Sequence, residues 1–243
     1  MDVTTEISTY HDREVTLNGL LMYDPARSES RPGVLVIHGG AGLDAHARGR
    51  ARHFAAAGFI AFACDMYGPG VMGDRARVMQ CIAALRGKRS RICRRAQPAI
   101  ELLADHPLVD GRLAAVGYCF GGMVALELAR AGCQFSGVVS VHGSLETNAP
   151  IEEAAVKAKI LVCHGALDPH IPMTQVTGFC DEMNRANVDY QLVVYGGAMH
   201  GFTHEAATGQ QPGVAYHGLS DARSSAAIQT FFEEIFPRDP AVL

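Results

Sequence analysis

Residues 114–126 read Ala-Ala-Val-Gly-Tyr-Cys-Phe-Gly-Gly-Met-Val-Ala-Leu, an apolar run that is broken by a cysteine between two glycines. The pattern predicts a strand, a sharp turn at Cys119 and then a helix. Gly117 and Gly121 are expected where the strand and the helix approach too closely for side chains. The N-terminus of the helix would direct unpaired N–H groups at the sulfur, which favours a thiolate. The alternative is that Cys119 is an ordinary buried cysteine.

The length and composition predict a single globular domain over residues 1–243, because 48% of the residues are hydrophobic and 19% are charged. A formal net charge of −4 lacks the basic surface of a nucleic-acid-binding protein. The chain begins Met-Asp-Val-Thr-Thr-Glu, without the pattern of a signal peptide, and it contains no apolar run of membrane-spanning length. We therefore expect a cytoplasmic protein with no nucleic-acid or membrane partner. Its oligomeric state stays open.

The seven cysteines predict free thiols, because they are scattered through the chain without paired spacing. No Cys-x-x-Cys pair is present in the sequence, so neither a zinc knuckle nor a thioredoxin-like site is indicated. Of the eleven histidines, only His200 and His204 have helical i, i+4 spacing, and they follow a glycine-rich turn. We therefore expect no metal site.

Apolar strand patterns alternate with amphipathic helix patterns through most of the chain. This alternation predicts the α/β class, with a mainly parallel central sheet, helices on both faces and ligands at the carboxyl ends of the strands. An N-terminal hairpin is predicted at residues 5–10 and 15–23, and further strands are predicted at 33–38, 58–65, 112–118, 137–142, 158–165 and 188–195. Helices are predicted at residues 45–57, 75–85, 94–103, 121–131, 173–186 and 220–236.

A glycine-rich loop, His38-Gly39-Gly40-Ala41-Gly42, ends the first of the buried parallel strands. Such a loop can cradle a phosphate. Here the Walker lysine is missing and the spacing is not Gly-x-Gly-x-x-Gly, so we favour a loop whose backbone N–H groups hold an oxyanion. We predict that the N–H groups of Gly40 and Phe120 form this oxyanion hole.

Two further residues complete a candidate catalytic triad with Cys119. A cysteine nucleophile needs a base to take its proton, and the base needs an acid that fixes its tautomer. Asp168 and His200 each follow a predicted strand, and their order after Cys119 is nucleophile, acid, base. Asp65 precedes the nucleophile and Asp181 lies inside a predicted helix, so both are weaker candidates for the acid.

A cluster of basic residues, here called the basic segment, lies between two predicted helices. We interpret it as a solvated helix end, because charge runs usually cover solvated faces. An anion-binding surface is the alternative. The basic segment consists of Arg86, Lys88, Arg89, Arg91, Arg94 and Arg95.

The sequence resembles the dienelactone hydrolase family from about residue 34 to residue 236. The resemblance implies an α/β-hydrolase fold, a Cys119–His200–Asp168 triad, no cofactor and hydrolysis of a lactone or an ester. It rests on the stretches Cys64-Asp65-Met66-Tyr67, Gly117-Tyr118-Cys119-Phe120-Gly121-Gly122, Leu167-Asp168-Pro169-His170-Ile171-Pro172 and Ala198-Met199-His200-Gly201-Phe202.

The resemblance also implies a small-molecule substrate, but two positions depart from the family pattern. Gly39 stands where the family has a glutamate, and His204 stands where it has an arginine that holds the substrate carboxylate. A histidine ring is mostly neutral near pH 7 and cannot grip a carboxylate as a guanidinium does. We therefore expect neutral esters or lactones to react at least as well as carboxylate-bearing dienelactones, with a smaller difference towards pH 6. Arg75 or Arg77 would be the alternative source of positive charge.

We predict further substrate contacts near the carboxyl ends of the buried strands and in the segment after Tyr67. The predicted substrate-contacting residues are His38, Tyr67, Arg77, Phe202 and His204.

These patterns favour a hydrolase that cleaves a small lactone or carboxylic ester through a thioester on Cys119. The alternative hypothesis is a non-catalytic protein that binds a small ligand or senses redox state with Cys119 as a reactive thiol. The complete triad argues against it, because a receptor needs no acid behind the histidine.

Overall fold

The computed structural model describes residues 2–149, 151 and 155–237 and is built around one eight-stranded sheet. The strand order is β1-β2-β4-β3-β5-β6-β7-β8. The β1–β2 hairpin pairs antiparallel with β4, and all neighbours from β4 to β8 are parallel. The strands are β1 (Thr4–Asp12), β2 (Val15–Tyr23), β3 (Arg31–Ile37), β4 (Ile60–Cys64), β5 (Val109–Tyr118), β6 (Gly137–Val141), β7 (Lys159–Gly165) and β8 (Tyr190–Tyr195).

Helices cover both faces of this sheet, so its parallel strands are buried on both sides. Helices α1 and α6 pack on one face, and α3, α4 and α5 pack on the other. The α/β class and the layered architecture are as predicted. The helices are α1 (Ala45–Ala56), α2 (Arg75–Leu85), α3 (Arg89–Ala104), α4 (Phe120–Arg130), α5 (Met173–Arg185) and α6 (Gly218–Ile235).

Two element boundaries differ clearly from the sequence prediction. Helix α3 begins at Arg89 instead of residue 94, because Arg89 is held by an ion pair with Glu127 that hydropathy does not show. Strand β5 begins at Val109 instead of residue 112, since Gly111 interrupts the pattern with a φ of 87°. The single domain over residues 1–243 stays a prediction.

None of the described helices combines the length and the apolar character needed to cross a bilayer.

The two glycines beside Cys119 have the steric role that the sequence predicts. A Cβ on Gly117 would overlap the carbonyl oxygen of Gly121, and a Cβ on Gly121 would overlap the carbonyl oxygen of Ile37. Backbone atoms are the obstacle in both cases, so no side-chain rotation relieves the clash. The glycines therefore fix how closely α4 approaches β3 and β5.

The interpretation of the basic segment as a solvated helix end is wrong for three of its members. Arg94 and Arg95 both contact the carboxylate of Asp12, at 2.8 Å each, and Arg89 contacts Glu127 at 2.9 Å. The two carboxylates are buried, so these ion pairs tie α3 to the hairpin and to α4. Hydropathy could not show this, because the partners lie far away in sequence. Two other members, Arg86 and Lys88, are exposed.

Replacing Gly121 by Ala should destabilise the protein by about 3 kcal/mol or more, because the new methyl group meets a backbone carbonyl. Gly49→Ala in α1 is the matched control, since a Cβ there has no neighbour within 4 Å. That control should stabilise the protein by up to about 1 kcal/mol through helix propensity. Urea unfolding curves measure both effects, and equal stability of the two variants would contradict the steric role of Gly121.

Candidate active site

Cys119 lies at the carboxyl edge of the sheet, between β5 and α4. Its backbone φ of 53° lies in the left-handed region, which residues other than glycine seldom adopt. The tight turn from strand to helix imposes this strain and leaves the sulfur at the N-terminus of α4. The side chain is therefore oriented by the backbone before any substrate binds.

The structure brings the three predicted triad residues together. Nε2 of His200 lies 3.1 Å from Sγ of Cys119, and Nδ1 of His200 lies 2.8 Å from Oδ2 of Asp168. The other carboxylate oxygen accepts the N–H groups of His170 and Ile171, at 2.8 and 3.1 Å. The buried carboxylate is thus fixed by its own loop, and it fixes the tautomer of His200.

The arrangement favours a thiolate–imidazolium pair. Burial would raise the pKa of the Cys119 thiol, but the hydrogen bond and charge of His200 outweigh it and lower that pKa. Burial would lower the pKa of His200, but hydrogen bonds to Asp168 and Cys119 raise it to about 10. Each partner therefore stabilises the charged form of the other at neutral pH.

The predicted oxyanion donors, Gly40 and Phe120, both face the sulfur. Their backbone N–H groups act as hydrogen-bond donors towards Cys119 and help to lower its pKa. The hydroxyl of Tyr67 donates to the carbonyl oxygen of Gly40 at 3.3 Å and so holds the glycine loop. Two N–H donors from different segments therefore lie beside the nucleophile, a placement that favours the predicted oxyanion hole.

His38 and Phe202 are both fully buried, and this burial gives no support to the predicted direct contact of the two side chains with a substrate. His38 accepts the N–H of Met66 at 3.1 Å and donates Nδ1–H to the carbonyl of Gly39 at 2.7 Å. It therefore joins the ends of β3 and β4. The position of these residues after predicted strands correctly indicated that they lie near the site, but it gave no information on the burial of their side chains.

Arg77 is largely exposed and held within its own segment. Its guanidinium pairs with Asp74 at 3.4 Å and donates to the carbonyl of Gly70 at 3.2 Å. These contacts give no support to a role in gripping a substrate carboxylate.

Asp65 stabilises the turn that carries Tyr67, and it is not the triad acid. Its Oδ1 accepts the N–H groups of Tyr67 and Gly68, at 2.8 and 3.0 Å. The carboxylate is therefore used within the turn.

His204 is paired with a carboxylate, which favours a charged ring more than the sequence suggested. Its Nε2 lies 2.9 Å from Oδ2 of Asp44, and this hydrogen bond raises the pKa of His204. The charge that His204 gains is compensated by Asp44, so the pair offers little net charge to a substrate anion. Lowering the pH towards 6 should then change anion binding less than the sequence suggested.

One cluster among the described residues has metal-ligand chemistry, namely Asp44, His46 and His204, whose ligand atoms lie within 4.8 Å of one another. The two imidazole rings stack at an interplanar angle of 18°, which does not direct both nitrogens at one ion. Nε2 of His46 is also within 3.1 Å of the Thr203 hydroxyl. The arrangement fits a hydrogen-bonded network better than a metal site.

His142 is a site residue that the sequence analysis missed. Its Nδ1 accepts the N–H of Cys119 at 3.1 Å, and its Nε2 lies 2.9 Å from the hydroxyl of Thr203. Burial holds the pKa of His142 well below its ordinary value, so the ring is neutral. A signal was present, because His142 directly follows the strand β6 at the same edge of the sheet as Cys119.

The model of the dienelactone hydrolase family matches residues 18–236. This chain belongs to the dienelactone hydrolase family. A solved structure named m3DLH has a TM-score of 0.91 and 36% identity, covering 96% of this chain and 99% of that one. A dienelactone hydrolase-like promiscuous phosphotriesterase from metagenomic libraries has a TM-score of 0.89 and 37% identity, covering 96% and 98%.

A curated relative is a probable 2-oxo-3-(5-oxofuran-2-ylidene)propanoate lactonase from Bradyrhizobium sp. It is 28% identical over 184 residues, which cover 72% of this chain and 74% of the relative. The fold of this dienelactone hydrolase family member is an α/β-hydrolase fold, as predicted. The protein is a hydrolase of the lactone and ester class, and a non-catalytic receptor is not favoured.

In this dienelactone hydrolase family member, Cys119 should be alkylated before the other six thiols. Because its pKa is lowered and that of His200 is raised to about 10, its iodoacetamide rate should change less between pH 7 and 9 than the rate of a free cysteine. The alkylation rate of a free cysteine with a pKa of about 8.5 should increase roughly 25-fold over this range. Peptide mapping after limited labelling measures each site.

His200→Ala is the matched variant for this measurement. It should restore a steep pH profile at Cys119 and slow labelling at pH 7 by about tenfold or more. Label appearing first on another cysteine would contradict the ion pair.

Proposed function

We propose that this enzyme hydrolyses small neutral lactones or carboxylic esters with Cys119 as the nucleophile. The observation that carries the proposal is the continuous hydrogen-bonded line from Asp168 through His200 to Cys119, with distances of 2.8 and 3.1 Å. Two N–H donors at the sulfur, from Gly40 and Phe120, give additional support. The proposed reaction uses only groups of this chain, the substrate and water.

In the first half-reaction, the Cys119 thiolate attacks the acyl carbon and a C–S bond forms. The carbonyl oxygen becomes an oxyanion that accepts the N–H groups of Gly40 and Phe120. The imidazolium of His200 then gives its Nε2 proton to the leaving alkoxide as the C–O bond breaks. The products are a thioester on Cys119 and an alcohol, which stays attached to the acyl group when the substrate is a lactone.

In the second half-reaction, neutral His200 takes a proton from water, and the water oxygen attacks the thioester carbon. The same N–H groups hold the second oxyanion. The C–S bond breaks, Cys119 leaves as a thiolate and the carboxylic acid is released. The thiolate and the reprotonated His200 restore the initial ion pair, which Asp168 stabilises throughout.

A neutral substrate is favoured by the charges that surround the site. His204 is compensated by Asp44, and Arg77 is paired with Asp74. A carboxylate placed beside these pairs would lose water without gaining an unpaired cation. Charge compensation at His204 and Arg77 thus favours the same substrate class as the neutral histidine expected from the sequence.

Neutral phosphotriesters are a second candidate class, because a relative 37% identical to this chain is a promiscuous phosphotriesterase. The phosphoryl oxygen of such a substrate could accept the same N–H groups from Gly40 and Phe120. An aryl phosphotriester therefore belongs in the same assay panel as lactones, aryl esters and thioesters. If none of the substrates in the panel were turned over, the ligand-binding or redox-sensing hypothesis would be favoured.

Asp168→Asn should lower kcat/KM for a reactive ester by about 1,000-fold, because His200 loses its tautomer control. Intact mass spectrometry of this variant with p-nitrophenyl acetate should show one acetyl group, which peptide mapping should place on Cys119. The loss in an Asp168→Asn/His200→Ala double variant should be smaller than the sum of the single free-energy losses. Acetyl on another residue would rule out the proposed nucleophile.

The matched control for these variants is Asp181→Asn, an exposed aspartate in α5. Its kcat/KM should stay within about twofold of the original enzyme, since exposed substitutions usually change little.

Neutral esters should have a kcat/KM at least as high as that of carboxylate-bearing dienelactones at pH 8. An Asp44→Asn/His204→Arg double variant should shift this ratio about tenfold towards the carboxylate, because an uncompensated guanidinium can pair with it. Asparagine keeps the N-cap that Asp44 provides for α1. The single variant His204→Arg is the control. It should shift the ratio less, because Asp44 still forms an ion pair with the new guanidinium. Equal shifts would contradict the charge argument.

A further inference from the structure

A cavity of about 450 Å³ lies behind Tyr67, between the β1–β2 turn and helices α2 and α3. Its volume is in the range of sites for small ligands. Four arginines and two carboxylates line it, which leaves an excess of two positive charges. The arginines are Arg13, Arg91, Arg94 and Arg95, and the carboxylates are Asp12 and Glu14.

Two of these arginines are held in place from behind. Nε of Arg94 and Nε of Arg95 each donate to one oxygen of Asp12, at 2.8 Å. The carboxylate of Asp12 is only 2% exposed, so it orients both guanidinium groups with little freedom. Nη1 of Arg95 also donates to the carbonyl of Met66 at 2.8 Å.

The same arginines keep hydrogen-bond donors that no described residue uses. Both Nη groups of Arg94, Nη2 of Arg95, and Nε and Nη2 of Arg91 make no hydrogen bond within the described parts of the chain. Nη1 of Arg91 donates to the carbonyl of Ala84 at 3.0 Å, which anchors that side chain as well. Fixed guanidinium groups with free donors are suited to carboxylate or phosphate.

The remaining wall of the cavity is apolar. Val15, Tyr67, Ala84 and Leu85 supply it, and the thiol of Cys81 lies among them. A ligand that fits would therefore have an anionic group at the arginines and an apolar body against Tyr67. Inorganic anions would satisfy the first part alone.

We propose that this cavity is a binding site for a small organic anion, separate from the Cys119 site. The basic segment is thereby divided into residues with different roles. Arg91, Arg94 and Arg95 line the cavity and are part-buried, whereas Arg86 and Lys88 are exposed and lie outside its lining. The anion-binding alternative set aside from sequence returns for three residues of the segment, in a pocket formed by the fold.

The cavity adjoins the catalytic site without sharing its chemistry. Ile82 of α2 faces Gly40, while Cys81 and Leu85 of the same helix line the cavity. Helix α2 thus separates the two, and Tyr67 borders both. Binding in the cavity needs neither the thiolate nor His200, so the inference stands or falls independently of the proposed reaction.

Fluorine NMR titration with 3-(trifluoromethyl)benzoate tests the proposal directly. We expect saturable binding of the benzoate and at least tenfold weaker binding of the uncharged 3-(trifluoromethyl)benzamide. An Arg91→Gln/Arg94→Gln variant should weaken benzoate binding about tenfold or more, because two charge-assisted contacts are lost. Arg86→Gln/Lys88→Gln removes the same charge from the same segment and should leave the affinity within about twofold.

A single Arg91→Gln variant, which leaves the Asp12 ion pairs intact, guards against misfolding of the double variant and should weaken binding at least threefold. Inorganic phosphate as a competitor separates the two sources of the anion. If phosphate displaces the benzoate only at concentrations far above that of the benzoate, an organic ligand is supported. Displacement at equal concentrations of the two anions overturns the preference for an organic anion.

Alkylation of Cys81 locates the bound probe, since this thiol lies in the cavity wall. Benzoate should protect Cys81 from N-ethylmaleimide by at least fivefold while leaving the labelling of Cys119 unchanged. Equal affinity for benzoate and benzamide would overturn the proposal. Equal losses in the two double variants, or protection of Cys119 instead of Cys81, would overturn it as well.

Discussion

The close backbone contact between β5, α4 and the end of β3 is the constraint on which the site depends. Ile37 pairs with Gly117 in the sheet, and Gly121 of α4 packs on the carbonyl of Ile37. Because no Cβ separates these segments, the loop after β3 lies directly beside Cys119. The N–H groups of Gly40 and Phe120 can therefore reach one sulfur atom although they are far apart in sequence.

The electrostatics of the site follow from what surrounds this contact. Cys119 and His200 lie 3.1 Å apart in a part-buried position, where water screens charges little and an ion pair between them is favoured. Two other imidazoles close to the nucleophile, those of His38 and His142, are buried and have lowered pKa values. They supply hydrogen bonds to the backbone near the nucleophile without adding positive charges that would compete with His200.

Carboxylates compensate cationic side chains at two further places in this chain, to different degrees. His204 is matched by Asp44 beside the site, and Asp12 orients Arg94 and Arg95 behind Tyr67. In the first case the pair is nearly neutral as a whole. In the second, one buried carboxylate holds two guanidinium groups, so positive charge is left over and is fixed in direction. The same pairing rule therefore gives a nearly neutral pair, Asp44–His204, near Cys119 and a basic cavity behind Tyr67.

The sequence by itself determined the α/β class, the strand–turn–helix at Cys119 and the steric role of Gly117 and Gly121. These features are local, because they depend on the spacing of apolar residues and on the space that a single Cβ would need. Chain order and position after strands were enough to select Asp168 and His200 as partners of Cys119.

Only the tertiary structure decided burial, pairing and the division of the basic segment. His38 and Phe202 are fully enclosed, His142 accepts the N–H of Cys119, and Arg94 meets Asp12. Each of these facts joins residues that are far apart in sequence or depends on packing from several elements. The charge state of a histidine or the role of an arginine is set by its neighbours in space, and no pattern along the chain specifies which neighbours those are.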